Sequence, residues 1–86
     1  MVMRIFVFFN AQASTYEING EIGSLRRVDG IASFSLLRKA GGDAESDYCI
    51  VLDADEAKTD EIIAVVKSLA AQYSGYVSGL KIMAYA

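Results

Sequence analysis

"TYEINGEIGSL", Thr15 to Leu25, admits two readings, and the fold depends on which one holds. Asn19-Gly20 between alternating Tyr, Glu and Ile is a strong hairpin signal. Yet Ile18, Ile22 and Leu25 recur at helical spacing. In a two-residue hairpin, Ile18 would pair with Glu21 and Glu17 with Ile22. Each pair would set a carboxylate against an aliphatic chain, and neither face could be buried cleanly. As a helix, the stretch puts Ile18, Ile22 and Leu25 on one face and leaves Glu17, Glu21 and Arg26 off it. "STYE" (Ser14 to Glu17) also has the form of a capping box. Gly20 and Gly23 cost a helix about 1 kcal/mol each relative to alanine. Burying three aliphatic side chains returns about 1.5–3 kcal/mol apiece. The stretch is read as a helix that forms when docked. Its two glycines either admit a ligand or partner close to the backbone or mark a kink or fray.

Outward from this helix, the chain reads as strand, helix, strand, strand, helix, strand. "VMRIFVFF" (Val2 to Phe9) and "YCIVL" (Tyr48 to Leu52) are apolar at both parities, as strands buried on two faces are. "IASFSLLRK" (Ile31 to Lys39) alternates, with Ala32, Phe34 and Leu36 opposite Ser33 and Ser35. "GLKIMAYA" alternates as well, with Leu80, Ile82 and Ala84 opposite Lys81, Met83 and Tyr85; both suit strands nearer a sheet edge. The second helix has Thr59 as N-cap, Asp60 and Glu61 in its first turn, and a stripe of Ile62, Val65, Val66, Leu69 and Tyr73. Gly75 is expected to close it. "AGGDAES" (Ala40 to Ser46) makes the turn between the second and third strands. Right-handed crossovers then predict one ferredoxin-like α+β domain over residues 1–86. It is a βαββαβ unit with a four-stranded antiparallel sheet of order 4-1-3-2 and two helices on one face.

Composition narrows the function classes. A net charge of −3 argues against a nucleic-acid surface, which needs a basic face to displace counterions. Eight of the eleven acidic residues lie between Asp43 and Glu61, a solvated acidic rim. With no histidine, the commonest general base and metal ligand is missing. Asp53, Asp55 and Glu56 lack calcium-loop spacing and are read as capping and bend chemistry, so no metal and no cofactor is expected. The single cysteine, Cys49, precludes an internal disulfide and reads as a small buried hydrophobe. The apolar run "IFVFF" is too short for an export signal, and no stretch approaches a membrane span; a cytoplasmic protein with no membrane contact is expected.

Two helices cover only one face of such a sheet. If Ile5, Val7 and Phe9 point at the helices, then Arg4, Phe6 and Phe8 point away, joined by Ser33, Ser35, Lys81, Met83 and Tyr85. Leaving two phenylalanines wet forfeits about 1.5–3 kcal/mol per side chain, from a total stability of about 5–15 kcal/mol. Phe6, Phe8, Ser33, Ser35 and Met83 are therefore a candidate dimer face, and a homodimer is expected.

"DGIASFSLLRKAGGDAESDYCIVLDADE" (Asp29 to Glu56) resembles the middle of the dimeric α+β barrel superfamily. The shared features are a glycine and aliphatic opening strand two, an "LLR"-like end, a glycine-rich turn and an Asp-Tyr entry to an apolar third strand. That superfamily includes stress-responsive barrels and small cofactor-free monooxygenases. The resemblance implies two ferredoxin-like sheets packed face to face, each half enclosing a pocket between sheet and helices. The histidines of its haem-degrading or proton-transferring members are absent here.

Arg4, Lys81 and Tyr85 share the uncovered face. They either hold an anionic or phenolic ligand or, as cations snorkelling at a rim beside a flat tyrosine, border a dimer. Asn10, near the end of strand one, either donates to a bound carbonyl or satisfies local backbone. Three functions follow: a homodimer binding a small, partly apolar molecule, an ACT-like regulatory amino-acid-binding module, or an accessory subunit without a ligand. Whether it is an enzyme stays open. If it is, cofactor-free oxygenase or isomerase/cyclase-like chemistry would need a carboxylate, lysine or tyrosine as base.

Overall fold

The computed structural model describes residues 2–11, 15–38 and 48–86. Its elements are β1 (Val2–Ala11), α1 (Thr15–Ile22), β2 (Ile31–Arg38), β3 (Tyr48–Asp55), α2 (Thr59–Gln72) and β4 (Val77–Tyr85). The four strands form one antiparallel sheet of order β2-β3-β1-β4, the predicted order read from its other edge. The proposed capping box at Ser14 and the turn at Ala40 to Ser46 fall outside the described residues.

The opening stretch is helical. Ile18, Ile22 and Leu25 are all buried, at 5%, 8% and 1% exposure. The α-helix stops at Ile22, however, and Gly23–Arg27 continues as a 3-10 turn that still delivers Leu25 to the core. A Cβ on Gly20 or Gly23 would meet nothing within 4 Å, so no part of the described chain approaches the backbone there.

The core lies between the helices and one sheet face. Ile5, Val7 and Phe9 of β1 and Tyr48, Ile50, Leu52 and Ala54 of β3 are buried against Ile62 and Val66 of α2. Phe9 and Tyr48 stack at 5.5 Å, and the Arg38 guanidinium lies 5.6 Å from the Tyr48 ring.

Four local expectations are corrected. Thr59 is the first residue of α2 rather than its cap; its hydroxyl donates to the Asp55 carbonyl at 3.3 Å. The capping carboxylate is that of Asp55, which accepts from the Ala57 N–H at 3.0 Å and starts a 3-10 turn over Glu56–Lys58. Val65 is 39% exposed, because the buried stripe follows Ile62 and Val66 and leaves Val65 on its outer flank. Gly75 has no positive φ; the helix ends through Tyr73, whose N–H donates to Leu69 and Ala70 carbonyls. In β2, a bulge makes Ala32 an extra, exposed residue, so Ile31 rather than Ala32 joins Phe34 and Leu36 against the core.

Gly30 sits at a tight approach. Its φ is +96°, and an added Cβ would lie 2.8 Å from Lys58 Cβ, in the helix-side turn. Its carbonyl accepts from the Asp55 N–H at 2.9 Å, tying the start of β2 to the end of β3. Gly30→Ala is expected to cost about 1–3 kcal/mol, read by urea denaturation as a lower midpoint with an unchanged slope.

Candidate functional site

Each sheet face carries a distinct set of side chains. On the helix side, a cavity of about 450 Å³ opens between the sheet and both helices. Val7, Phe9 and Ile50 form its floor, with Val77 and Leu80 at the β4 side. Ile18, Ile22 and Leu25 close one wall, and Val66, Leu69, Ala70 and Tyr73 of α2 the other, while Tyr76 completes the lining. A bulge shapes the β4 side: Phe8 pairs with Lys81 and Asn10 with Ser78, so Gly79 and Leu80 together oppose Phe9. Gly79, at φ +66°, takes the left-handed conformation that this bulge requires.

Among the described lining residues, Tyr73 and Tyr76 carry the only hydroxyls, and none carries a carboxylate, ammonium or guanidinium group. Such a lining suits an apolar body with a polar, uncharged edge. The resemblance placed a pocket between sheet and helices, and the helical spacing placed Tyr73 on the buried stripe, but the residues lining the pocket were not assigned. Its lining comes from β1, β3, β4, both helices and the turns that follow them, and only their three-dimensional convergence brings these residues together.

The opposite face is a grid set by strand register. Ser33, Asp53, Arg4 and Tyr85 form one row across β2, β3, β1 and β4; Ser35, Val51, Phe6 and Met83 form the next; Leu37, Cys49, Phe8 and Lys81 the third. Phe6 stacks near-parallel on Phe8 at 6.3 Å and meets Tyr85 edge-on at 5.8 Å. The Tyr85 hydroxyl donates to Met83 Sδ at 3.3 Å. Cys49 is half-buried on this face rather than in the core, and burial pushes its thiol pKa up, away from thiolate reactivity.

Arg4, Lys81 and Tyr85 all lie on this face, on the far side of the sheet from the cavity. Arg4 pairs with Tyr85 in register, but its charge is directed at Asp53: Nε donates to Oδ1 at 2.9 Å and an Nη to Oδ2 at 3.3 Å. The Ser33 hydroxyl adds a third bond to Oδ2 at 2.8 Å. Sequence reasoning grouped Asp53 with its acidic neighbours; only the β1–β3 register reveals its partner. Asp55 and Glu56 instead belong to the turn before α2. Asn10 stands beside Ser74, Tyr76 and Ser78 in a shallow depression that shares Tyr76 and Val77 with the cavity.

The Arg4 hydrogen bonds, then that of Ser33, hold the Asp53 carboxyl below the usual carboxylate range. A depressed folded-state pKa adds stability that is complete above the unfolded value and disappears as pH falls through the folded one. Wild type is therefore expected to exceed Asp53→Asn in stability at neutral pH. The gap should close in acid, as measured by thermal denaturation across a pH series.

No family model matches the sequence, and no curated protein matches it. Solved structures do. SnoaB, a cofactor-independent oxygenase from Streptomyces nogalater, aligns with a TM-score of 0.73 at 13% identity, over 99% of this chain and 91% of that one. The fold is the ferredoxin-like one. A DABB family protein with a ferredoxin-like fold from Mesorhizobium loti aligns at 0.68 and 16% identity, over 99% and 95% of the two chains. A dimeric ferredoxin-like protein of unknown function from Thermobifida fusca gives 0.67 and 14%, over 100% and 91%. At these identities the likeness is one of backbone. Among the described residues, no helix is long and apolar enough to cross a membrane.

Proposed function

We propose that this protein is a homodimer, covering its open sheet face with a second copy, and that it holds a small, uncharged, largely apolar molecule in the cavity between sheet and helices. The observation that carries the binding half is the cavity itself. Its volume falls within the range of about 300–1,000 Å³ usual for ligand sites, and its described lining is apolar with two phenols. The dimer half is supported by the half-buried Phe6, Phe8, Val51 and Met83 on the open face, and by dimeric proteins of the same fold. In this reading Tyr73 and Tyr76 orient the ligand, Arg4, Lys81 and Tyr85 belong to the dimer face, and Asn10 borders the cavity mouth.

An amino-acid sensor fits less well. A zwitterion requires counter-charges for both its ends, and the described lining supplies none. Turnover would rest on a tyrosine phenol as base, and binding alone is the reading supported here.

Native mass spectrometry of freshly purified protein should reveal a co-purifying neutral molecule. A thermal-shift panel of neutral aromatic and terpenoid compounds should then raise the melting point. At a hundredfold excess over Kd, binding adds about 2.7 kcal/mol, roughly 10 °C or more for a domain of this size. Ala70→Phe, which fills the cavity from α2, is expected to abolish that shift without unfolding the protein. Shifts produced by free amino acids, or an undiminished shift in Ala70→Phe, would contradict the assignment.

A further inference from the structure

Exposure along the lining of the helix-side cavity locates its opening. Val7, Phe9, Leu25, Ile50 and Val66 are buried, whereas Tyr76 is 64% and Leu80 38% exposed. The mouth therefore lies between the turn after α2 and the bulged start of β4. Tyr76 lines both the cavity and the shallow depression beside Asn10, so it stands on the boundary between them. The hydroxyls of the described lining, those of Tyr73 and Tyr76, belong to the end of α2 and this turn, and so to the mouth rather than the floor.

An aromatic ring this exposed beside an apolar opening gains by burial when an apolar surface is offered to it. A molecule filling the cavity offers that surface. The main chain need not move for the ring to reach it. The Tyr76 and Val77 N–H groups both donate to the Tyr73 carbonyl at 2.9 Å and hold the turn. The ring itself turns about two side-chain torsions, a motion of picoseconds to nanoseconds for an exposed residue. Gly75 before it leaves space, since an added Cβ there would meet nothing within 4 Å.

We propose that a molecule enters this mouth apolar end first, and that the Tyr76 ring then turns inward over it to form the outer wall of the filled site. The ligand class is an apolar body with one uncharged hydrogen-bonding group at one end, such as a terpenoid alcohol. Its hydroxyl stays at the mouth, beside phenols and water. Its other end lies among aliphatic side chains, where an unpartnered hydroxyl is costly. This proposal rests on the cavity reading and adds the entrance, the orientation and the closing residue.

The chain has no tryptophan, so Tyr76→Trp places a sole reporter at the mouth. Saturating geraniol, which does not fluoresce, is expected to shift its emission to the blue and to protect it from quenching by acrylamide. Calorimetric titration gives the second readout. Tyr76→Ala is expected to weaken geraniol binding at least about tenfold, while Tyr76→Phe, which keeps the ring, should stay within about threefold of wild type. The diol of geraniol with a second hydroxyl at its far end should bind wild type at least about tenfold more weakly than geraniol. The Tyr76 side chain lies outside the buried core, and circular dichroism checks that each variant folds. Unchanged emission on binding, or wild-type affinity in Tyr76→Ala, would overturn the closure. Equal affinity for the diol would overturn the orientation. No rise in the wild-type melting point with geraniol would instead remove the cavity reading itself, which keeps the failures distinct.

Discussion

Phe6→Asp is expected to yield a folded monomer. Phe6 occupies the centre of the open face, between Val51 and Met83, and is touched by the Phe8 and Tyr85 rings. Its side chain points away from the core that Ile5 and Val7 complete, so the substitution removes little from the single chain. In a two-fold interface the change is counted twice, placing a carboxylate from each copy in an apolar patch. The expected loss is at least about 100-fold in dimer affinity, roughly 3 kcal/mol. Light scattering after size exclusion should report the mass of one chain, with an unchanged circular-dichroism spectrum. The helix-side cavity is untouched, so ligand-induced thermal stabilisation should survive. Loss of fold in Phe6→Asp would mean that Phe6 supports the core of the single chain.

Leu52→Ala produces the opposite pattern, with a large loss of stability. Leu52 is fully buried on a central strand, paired in register with Ile5 on one side and Phe34 on the other. Removing its branched end leaves a void that neighbouring strands cannot close, at a cost of about 2–5 kcal/mol. Against a total of about 5–15 kcal/mol, that is a large fraction. The melting temperature should fall by roughly 10 °C or more, and urea unfolding should shift to a lower midpoint. A loss under 1 kcal/mol would mean that the sheet relaxes around the cavity, contrary to the packing described. Together the two variants separate the faces: one governs association, the other folding.

These faces were legible in the sequence to different depths. Strand alternation in Val2 to Phe9 assigned Ile5, Val7 and Phe9 to one side and Arg4, Phe6 and Phe8 to the other, and the burial of β1 agrees. The mixed hairpin and helix signals of Thr15 to Leu25 were resolved by asking which conformation could bury three aliphatic groups at once. Alternation failed where the backbone gains a residue, at Ala32 in β2, because a bulge leaves no mark in hydropathy. Cap chemistry failed at Thr59, since Asp55 four residues earlier offers a carboxylate to the turn before α2. The Arg4–Asp53 pair spans 49 positions, and only strand register brings it together. For the same reason the cavity could be expected only as a place, between sheet and helices. Its tyrosines come from the end of α2 and the turn that follows.

The claim on which the functional account rests is that a second copy covers Phe6 and Phe8. Sedimentation equilibrium of the wild-type chain measures this directly. The mass of two chains is expected at low micromolar concentration, with dissociation only on further dilution. The mass of one chain, persisting at concentrations a hundredfold higher, would contradict it.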